Sequence, residues 1–184
     1  MDDKVDLDHM GSVMSLPPAP VVLVGVGDRE RNIITVGMFN VFSVRPPIIG
    51  TAVTTSRHSY KLLEENEEFT VSIPGKELMD KVSACGEKSG SDTDKFKLTG
   101  LTAVKGKRTK APRIAERLIN IEAKRTWSFE VGDHAWYLGG DQAHRHRGEV
   151  RPQPGAALLG RGVLDLRGEA AKGPKARMKA ARPS

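Results

Sequence analysis

The sequence has a single cysteine, Cys85, among its 184 residues. One thiol cannot form an intrachain disulfide, so the fold depends on a hydrophobic core, which a chain of this length can build as one domain. Low cysteine content is typical of a reducing compartment, and we therefore expect a cytoplasmic protein. No apolar run approaches the roughly 20 residues that a membrane-spanning helix requires, so we expect no membrane partner.

Aromatic residues are also scarce, at 5% of the sequence, and none follows Tyr137. Isoleucine, threonine and asparagine are absent after the same residue, where alanine, glycine, arginine and proline dominate. Residues 139–184 hold ten basic and four acidic side chains, which accounts for the whole net charge of +6. The body of the chain is therefore neutral, and residues 140–184 form a basic, low-complexity tail with little material for a core.

A dinucleotide-binding fingerprint is incomplete in this sequence. Gly25 and Gly27 follow an apolar run, but Glu30 stands where the third glycine is required, and no helical pattern follows. We interpret residues 27–32 as the turn of a hairpin. No separate nicotinamide-binding fold is expected.

Runs of β-branched and aromatic residues, separated by turn residues, dominate residues 17–139, whereas we interpret residues 1–16 as a disordered leader. The pattern predicts strands over 21–26, 33–43, 48–54, 69–74, 118–131 and 134–139, the last two joined by a hairpin at Gly132. A helix is predicted over 56–68 with Ser59 as its N-cap. Together these elements predict a mostly antiparallel β barrel with two or three short helices.

A second helix is predicted over residues 76–86, because Leu78, Met79, Val82 and Cys85 recur at helical spacing. Cys85 then lies on an apolar face, which favours a buried structural thiol over a nucleophile. The following segment, residues 86–101, is rich in glycine, hydroxyl and charged residues, and taken alone it indicates a solvated loop.

Polar side chains gather where the third predicted strand ends and the first helix begins. Residues 54–60, TTSRHSY, contain four threonine and serine hydroxyls around one arginine and one histidine. Unpaired N–H groups at a helix start, small hydroxyls and a guanidinium together suit a phosphate group. The alternative is an ordinary polar helix cap, which is the favoured interpretation when the segment is taken alone.

Several segments in order resemble the flavin reductase-like family of FMN-binding split barrels, which includes flavoredoxins and ferric or flavin reductases. The segments are PPAPVVLVGVG, NIITVGMFNVFSVRPPIIG, TSRHSYKLLEENEEFTVSIP, CGEKSGSDTDKFKLTGL, APRIAE and FEVGDH. The resemblance covers residues 17–138. It implies a mainly β fold, an FMN-binding split β-barrel with Greek-key antiparallel strands and a few short helices.

The resemblance also implies where FMN would bind: at the barrel edge, in a groove completed by the second subunit of a homodimer. The segment passing along the flavin ring would be Thr35, Val36, Gly37, Met38, Phe39 and Asn40. The residues holding the ribityl chain and phosphate would be Thr54, Thr55, Ser56, Arg57 and Ser59. Lys95 would add a second positive charge, and its subunit of origin stays open.

His134 matches the histidine of the family's GDH segment, and the resemblance implies a catalytic neighbour of the flavin or the nicotinamide. A histidine that bridges two strand ends is the structural alternative. The implied activity is that of an FMN-dependent NAD(P)H oxidoreductase that passes electrons to a flavin, a ferric chelate or a protein partner. Two other functions stay open: an FMN electron carrier that does not oxidise NAD(P)H, and a non-enzymatic nucleic-acid-binding protein acting through its basic tail. The tail's lack of aromatic residues disfavours the latter.

The tail departs from the family, whose last third continues with a polar strand and a YWGG-like aromatic run. Codons for residues 146–171 can be chosen so that a shift of one nucleotide restores such a run. We therefore interpret residues 140–184 as translated out of frame, which the nucleotide sequence near Gly139 tests. His144 and His146 lie in this tail, which lacks the rigid set of partners that a metal requires, so no metal site is expected.

Overall fold

The structure is a computed structural model that describes residues 20–117 and 119–141. In this part of the chain there are nine strands, three α-helices and one 3₁₀ turn, Lys76–Leu78. The strands are β1 (Val22–Val26), β2 (Asn32–Val36), β3 (Phe39–Val44), β4 (Pro47–Thr54), β5 (Glu68–Ile73), β6 (Ala103–Val104), β7 (Arg113–Ile114), β8 (Ile119–Val131) and β9 (His134–Asp141). The helices are α1 (His58–Glu65), α2 (Met79–Glu87) and α3 (Lys95–Thr99).

Seven of the strands form one antiparallel sheet in the order β2-β1-β5-β8-β9-β4-β3, and β6 pairs with β7 in a small second sheet. The large sheet curls on itself, because Val36 of β2 and Val53 of β4 share a core cluster with Val24 of β1 and Phe69 of β5. The prediction of a mainly β, antiparallel barrel is therefore confirmed.

A second apolar cluster lies outside the barrel, between β1, β2 and α2, and includes Leu23, Ile33, Val82 and Cys85. Because β1 has an apolar cluster on each face, all five of its residues are buried. Its sequence is therefore continuously apolar rather than alternating.

The predicted single strand over residues 33–43 is wrong. β2 ends at Val36 and pairs with β1, whereas β3 begins at Phe39 and pairs with β4, so the two strands occupy opposite edges of the sheet. Gly37 lies between them, with no atom close to where a Cβ would be. A glycine inside a strand pattern is typical of a bend at a barrel corner, and here the chain makes that bend.

Ser59 is not the N-cap of the first helix, as predicted. The helix begins at His58 with Arg57 in the N-cap position and no side-chain cap, while Ser59 is buried. The Ser59 hydroxyl accepts a hydrogen bond of 2.9 Å from the side-chain amide of Asn32. Its side chain is therefore used between helix and sheet instead of at the helix end.

The second helix also differs in detail from its prediction. Leu78, Val82 and Cys85 are buried as expected, but Met79 is 56% exposed. The 3₁₀ turn precedes the α-helix, so Leu78 fills the apolar cluster from that turn, and Met79 starts the helix on the solvent side. Burial raises the pKa of the Cys85 thiol, which fits a structural side chain.

The prediction of a solvated loop over residues 86–101 is wrong for its second half, which contains α3. The Asp94 carboxylate caps this helix by accepting hydrogen bonds from the N–H groups of Phe96 and Lys97. Gly100 ends the helix in the left-handed region, with a φ of 64°. One turn of helix therefore presents Lys95 to the protein interior.

Both predicted hairpins are confirmed. β1 pairs with β2 around Gly27, which has a φ of 82°, and β8 pairs with β9 around Gly132, which has a φ of 60°. The predicted leader, and the tail from residue 142 onward with His144 and His146, lie outside the described residues. No helix in the described part of the chain has both the length and the apolar content needed to cross a membrane.

Candidate functional site

A groove opens at the barrel edge, where β2 ends, β4 ends and β9 begins. Its volume is about 170 Å³, and it is lined by residues 34–38 and 52–54 together with Arg57 and His134. Four residues of the predicted ring segment, Thr35 to Met38, thus lie in the groove. Antiparallel pairing of β4 with β9 brings Thr54 directly opposite His134, although 80 residues separate them along the chain.

Phe39 and Asn40 are not among the residues that line this groove. Phe39 begins β3 and packs against the barrel core. Asn40 is exposed, and its side-chain oxygen accepts a 2.8 Å hydrogen bond from the N–H of Val41. Thr35 lines the groove, but its hydroxyl donates a 2.6 Å hydrogen bond to the carbonyl of Val82 in α2. The hydroxyl hydrogen of Thr35 is therefore not available to a ligand in the groove.

His134 is held between two polar side chains. Its Nδ1 lies 2.7 Å from an Asp133 carboxylate oxygen, and its Nε2 lies 3.1 Å from the Thr54 hydroxyl. The N–H of Thr55 donates to the backbone carbonyl of Asp133 at 3.1 Å, which ties the end of β4 to the β8–β9 turn. The hydrogen bond from His134 lowers the pKa of Asp133 below its usual value. In this geometry His134 both bridges two strand ends and faces the groove.

A smaller cavity of about 10 Å³ adjoins the groove, and Arg57 lines both. Its polar lining comes from the first turn of α1, the loop after α2 and the start of α3: Arg57, His58, Ser59, Lys88, Ser89 and Lys95. Thr55 and Ser56 are exposed and line neither of these two cavities. Three of the predicted phosphate residues, Arg57, Ser59 and Lys95, therefore lie together, and the other hydroxyls do not.

Lys95 is the least expected member of this group, because its side chain is 96% removed from solvent, with 4% exposed. Its ammonium donates a 2.8 Å hydrogen bond to the carbonyl of Cys85 and has no carboxylate within ion-pair distance among the described residues. Burial lowers the pKa of Lys95; the Cys85 thiol opposes that shift, and the positive charge of Arg57 adds to it. A buried ammonium beside a second cation is costly without an anion nearby.

Sequence reasoning did not single out His58, Lys88 or Ser89. Nε2 of His58 lies 2.9 Å from a carboxylate oxygen of Glu30, which places the start of α1 beside the β1–β2 turn. Lys88 and Ser89 precede Gly90, and a Cβ at Gly90 would collide with the side chain of Asn32. The glycine allows this basic loop to approach the sheet, and the segment KSG was the signal that could have identified it.

Apolar side chains are exposed on one part of the large sheet. They belong to β3 and to the second half of β8: Val41, Phe42, Val44, Trp127, Phe129 and Val131. Trp136 of β9 lies beside them and makes an edge-to-face contact with Phe42, with ring centroids 5.4 Å apart. Val41 and Val44 pair with Ile49 and Pro47 and therefore point to the other side of the sheet, so we call Phe42, Trp127, Phe129 and Val131 the open apolar face.

The sequence matches a known domain family over most of its length: the model of the flavin reductase-like domain matches residues 14–163. An uncharacterized protein of Pyrococcus abyssi is 33% identical over 130 residues, which are 71% of this chain and 74% of the relative. An uncharacterized protein of Archaeoglobus fulgidus is 32% identical over 124 residues, or 67% of this chain and 70% of the relative.

Solved structures share the fold. Flavoredoxin of Desulfovibrio vulgaris (Miyazaki F) has a TM-score of 0.68 at 28% identity, covering 77% of this chain and 74% of its own. The NADH:FAD oxidoreductase of Streptomyces globisporus C-1027, in complex with NAD and FAD fragments, has a TM-score of 0.64 at 25% identity, covering 71% of this chain and 76% of its own. An FMN-binding protein of Thermus thermophilus, at 20% identity, has a TM-score of 0.68 and covers 77% of this chain and 78% of its own. These likenesses confirm the predicted split barrel.

Proposed function

The chain belongs to the flavin reductase-like domain family, and from that premise we propose that it binds FMN at the groove and passes electrons from NADH or NADPH through FMN to an acceptor. The acceptor would be a free flavin, a ferric chelate or a protein partner. Support for this proposal comes from residues at two places where FMN makes different demands, the phosphate and the ring.

The phosphate end rests on one observation above all, the buried ammonium of Lys95 without a carboxylate partner among the described residues. A phosphate monoester brings a charge near −2, which would compensate both Lys95 and Arg57. The first turn of α1 adds backbone N–H groups that no side chain caps, and a helix N-terminus favours an anion. The Ser59 hydroxyl, which already accepts from Asn32, keeps its hydrogen available for donation.

The ring end rests on the groove formed by residues 35–38, Thr54 and His134. When bound, FMN supplies the hydride and electron transfer, and the protein supplies position and electrostatics. Met38 gives the groove an apolar wall, whereas Thr54 and His134 give it polar atoms. Because no separate nicotinamide-binding fold is expected, a nicotinamide ring would have to stack directly against the bound flavin.

A homodimer is part of the proposal. The open apolar face places aromatic and branched side chains on β3 and β8 in solvent. Exposed apolar surface of this kind is typical of an interaction surface, and aromatic residues are enriched in interface cores. A second copy of the chain would cover these residues and complete the groove.

A second candidate function is an FMN electron carrier that does not oxidise NAD(P)H. The 28% identity to a flavoredoxin favours it, since electron transfer without a nicotinamide site requires the same FMN groove. Steady-state oxidation of NADH and NADPH with an added acceptor separates the two functions: turnover supports the reductase, and reduction by a protein donor alone supports the carrier. The nucleic-acid hypothesis depends on residues 140–184, nearly all of which lie outside the described residues.

The binding experiment uses the full chain purified with FMN and passed through gel filtration. We expect visible flavin absorbance to elute with the protein at about one FMN per chain. Riboflavin is the matched ligand, since it lacks only the phosphate, and we expect it to bind more weakly than FMN. Protein that elutes folded and without flavin would overturn the proposal.

A further inference from the structure

We propose that Asp133 is a positioning residue that keeps a proton on Nδ1 of His134, so that the charge of His134 decides which hydrogen bond the Thr54 hydroxyl offers to the groove. The effect on a bound ligand rests on the proposed function, whereas the NMR test of the proton positions does not. It concerns three side chains of this chain that lie in one hydrogen-bonded row, from the β8–β9 turn to the end of β4.

The row is set by distance and register. Asp133 lies 2.7 Å from Nδ1 of His134, and the Thr54 hydroxyl lies 3.1 Å from Nε2. Backbone pairing between Thr54 and His134, and the hydrogen bond from the Thr55 N–H to the Asp133 carbonyl, hold the three residues in place. The imidazole therefore has a defined partner on each nitrogen.

The proton positions follow from what each partner can do. An ionised carboxylate only accepts, so Asp133 requires a hydrogen on Nδ1 of His134. In neutral His134, Nε2 then carries a lone pair, and the Thr54 hydroxyl must donate to it. Thr54 consequently presents only oxygen lone pairs to the groove.

Protonation of His134 reverses the second hydrogen bond. Both ring nitrogens then donate, so Nε2–H donates to the Thr54 oxygen. The Thr54 hydroxyl hydrogen is released and can point into the groove. A neutral His134 thus offers a bound ring an acceptor, whereas a charged His134 offers it a donor and a nearby positive charge.

The charged groups around His134 are few in the described part of the chain. Asp133 faces it from the turn, and Arg57 lines the same groove from the start of α1. Glu130 of β8 pairs instead with the Tyr60 hydroxyl, at 3.2 Å. The Asp133 carboxylate is therefore the group that directly contacts the imidazole, and removing it changes the proton arrangement most.

This switch matches the chemistry proposed for the groove. A ring that gains electrons gains negative charge, which a fixed donor and a nearby cation stabilise. Reduction at the groove would therefore be coupled to proton uptake by His134, and Thr54 would carry that coupling to the ring. Asp133 acts through His134 and makes no contact with the ligand in this proposal.

The direct test is ¹⁵N NMR of the histidine side chains in the full chain without flavin. At about pH 9, above the range in which histidine side chains change charge, we expect His134 to be protonated on Nδ1 and unprotonated on Nε2. The variant H134Q identifies the signal among the five histidines. A wild-type His134 with its hydrogen on Nε2 at that pH would overturn the proposal.

Two variants separate the roles of the partners. Asp133→Ala should convert a large share of neutral His134 to the form protonated on Nε2, because nothing then requires a hydrogen on Nδ1. Thr54→Val is the matched control: it keeps the shape of the side chain and the Asp133 partner, so the proton should stay on Nδ1. Equal proton arrangements in wild type and Asp133→Ala would contradict the proposal. Circular dichroism checks that each variant is folded.

Flavin binding supplies an independent readout. The FMN dissociation constant of Thr54→Val, divided by that of the wild type, should differ by several-fold between the conditions in which NMR shows His134 charged and those in which it shows His134 neutral, because the wild type alone changes its hydrogen bond. Dividing the two values removes the ionisation of the phosphate, which is common to both proteins. A constant ratio would reject the coupling to the ligand. Absence of FMN binding would reject the proposed function and leave the NMR result interpretable.

Discussion

The two halves of the large sheet are built from similar residues but are covered differently. In the closed half, β1 is buried along its whole length, between the barrel core and the cluster under α2. In the open half, β3 has no fully buried residue, and the last six residues of β8 are exposed. An apolar sequence thus identifies a strand but does not show what packs against it. In the open half, we propose that a second copy of the chain packs against these strands.

The largest effect that this comparison predicts is in core stability. Phe69 of β5 is fully buried in the barrel core, whereas Phe129 of β8 is 44% exposed. Phe69→Ala should lower the free energy of unfolding by about 3–5 kcal/mol. Phe129→Ala is the matched control and should lower it far less at protein dilutions that favour the monomer. Urea unfolding at those dilutions measures both, and equal losses would show that the two halves do not differ.

Next in size is the effect on self-association. Phe129→Glu places a charge on the open apolar face and should weaken dimerisation by about 2 kcal/mol or more, or roughly 30-fold. Met79→Glu is the control, because Met79 is also exposed but starts α2 on the closed half. Sedimentation equilibrium measures both. A monomeric wild type, or equal weakening by both variants, would reject the dimer through this face.

Lys95 and Lys97 compare a buried with an exposed cation on one short helix. Lys95→Met should weaken FMN binding roughly 10- to 150-fold, because a hydrogen bond to a charged group is worth about 1.5–3 kcal/mol. Lys97→Met, on the solvent side of α3, should leave FMN affinity unchanged. Fluorescence titration of FMN gives both constants, and equal affinities would show that Lys95 does not meet the phosphate.

Lys95→Met should also make the flavin-free protein more stable at neutral pH. The folded pKa of Lys95 is lowered by burial, so at a pH below that value the folded protein holds a charged amine that would be better solvated when unfolded. For the wild type, stability should rise as the pH rises from the folded pKa toward the higher unfolded value. Lys95→Met should lack that rise, which urea unfolding between pH 7 and pH 11 checks.

The last comparison concerns two glutamates of β8. Burial alone would raise the pKa of Glu122, but hydrogen bonds from the N–H groups of Lys107, Arg108 and Thr109 outweigh it and hold the pKa below its usual value. Glu122→Gln should cost about 1–3 kcal/mol at pH 7. A depressed pKa contributes stability above the unfolded pKa, so the cost should shrink as the pH falls through the folded pKa.

Glu130→Gln is the control on the exposed half of the same strand, where the carboxylate accepts one hydrogen bond from Tyr60. It should change stability by less than about 0.5 kcal/mol at either pH. Urea unfolding at pH 7 and pH 3 measures both variants. A Glu122→Gln cost that is the same at both pH values would show that the carboxylate charge does not hold the 107–109 loop.

Local patterns predicted most of the elements, because periodicity and turn residues act over a few positions. Both hairpins carry a glycine at the turn, and the apolar runs of β1, β4 and β5 were correctly placed within one or two residues. The break at Gly37 was missed, because a bend between two strands leaves the alternation of apolar residues intact. The N-cap at Arg57 was missed because Ser59 has the right side chain for a cap but is used by Asn32.

The candidate site likewise contains residues that the sequence predicted and residues that it did not. Residues 35–38 form one continuous segment and residues 54–59 form another, so the sequence resemblance identified both segments without knowledge of the fold. Asn40 and Phe39 belong to the same matched segment but fall on the far side of the bend, away from the groove. His58, Lys88 and Ser89 line the smaller cavity because three separate elements converge there, which no single segment of the chain records.

The amino-acid sequence by itself determined the β-rich body, its neutral charge, the turn glycines and the family resemblance, since these depend on residue type and local order. Only the tertiary structure decided that Lys95 is buried beside Arg57 and that Thr54 meets His134. Pairing between β4 and β9, and the packing of a one-turn helix under the sheet, depend on contacts between residues far apart in the chain. Such contacts are selected by the shape and burial of the whole barrel, so local sequence patterns do not specify them.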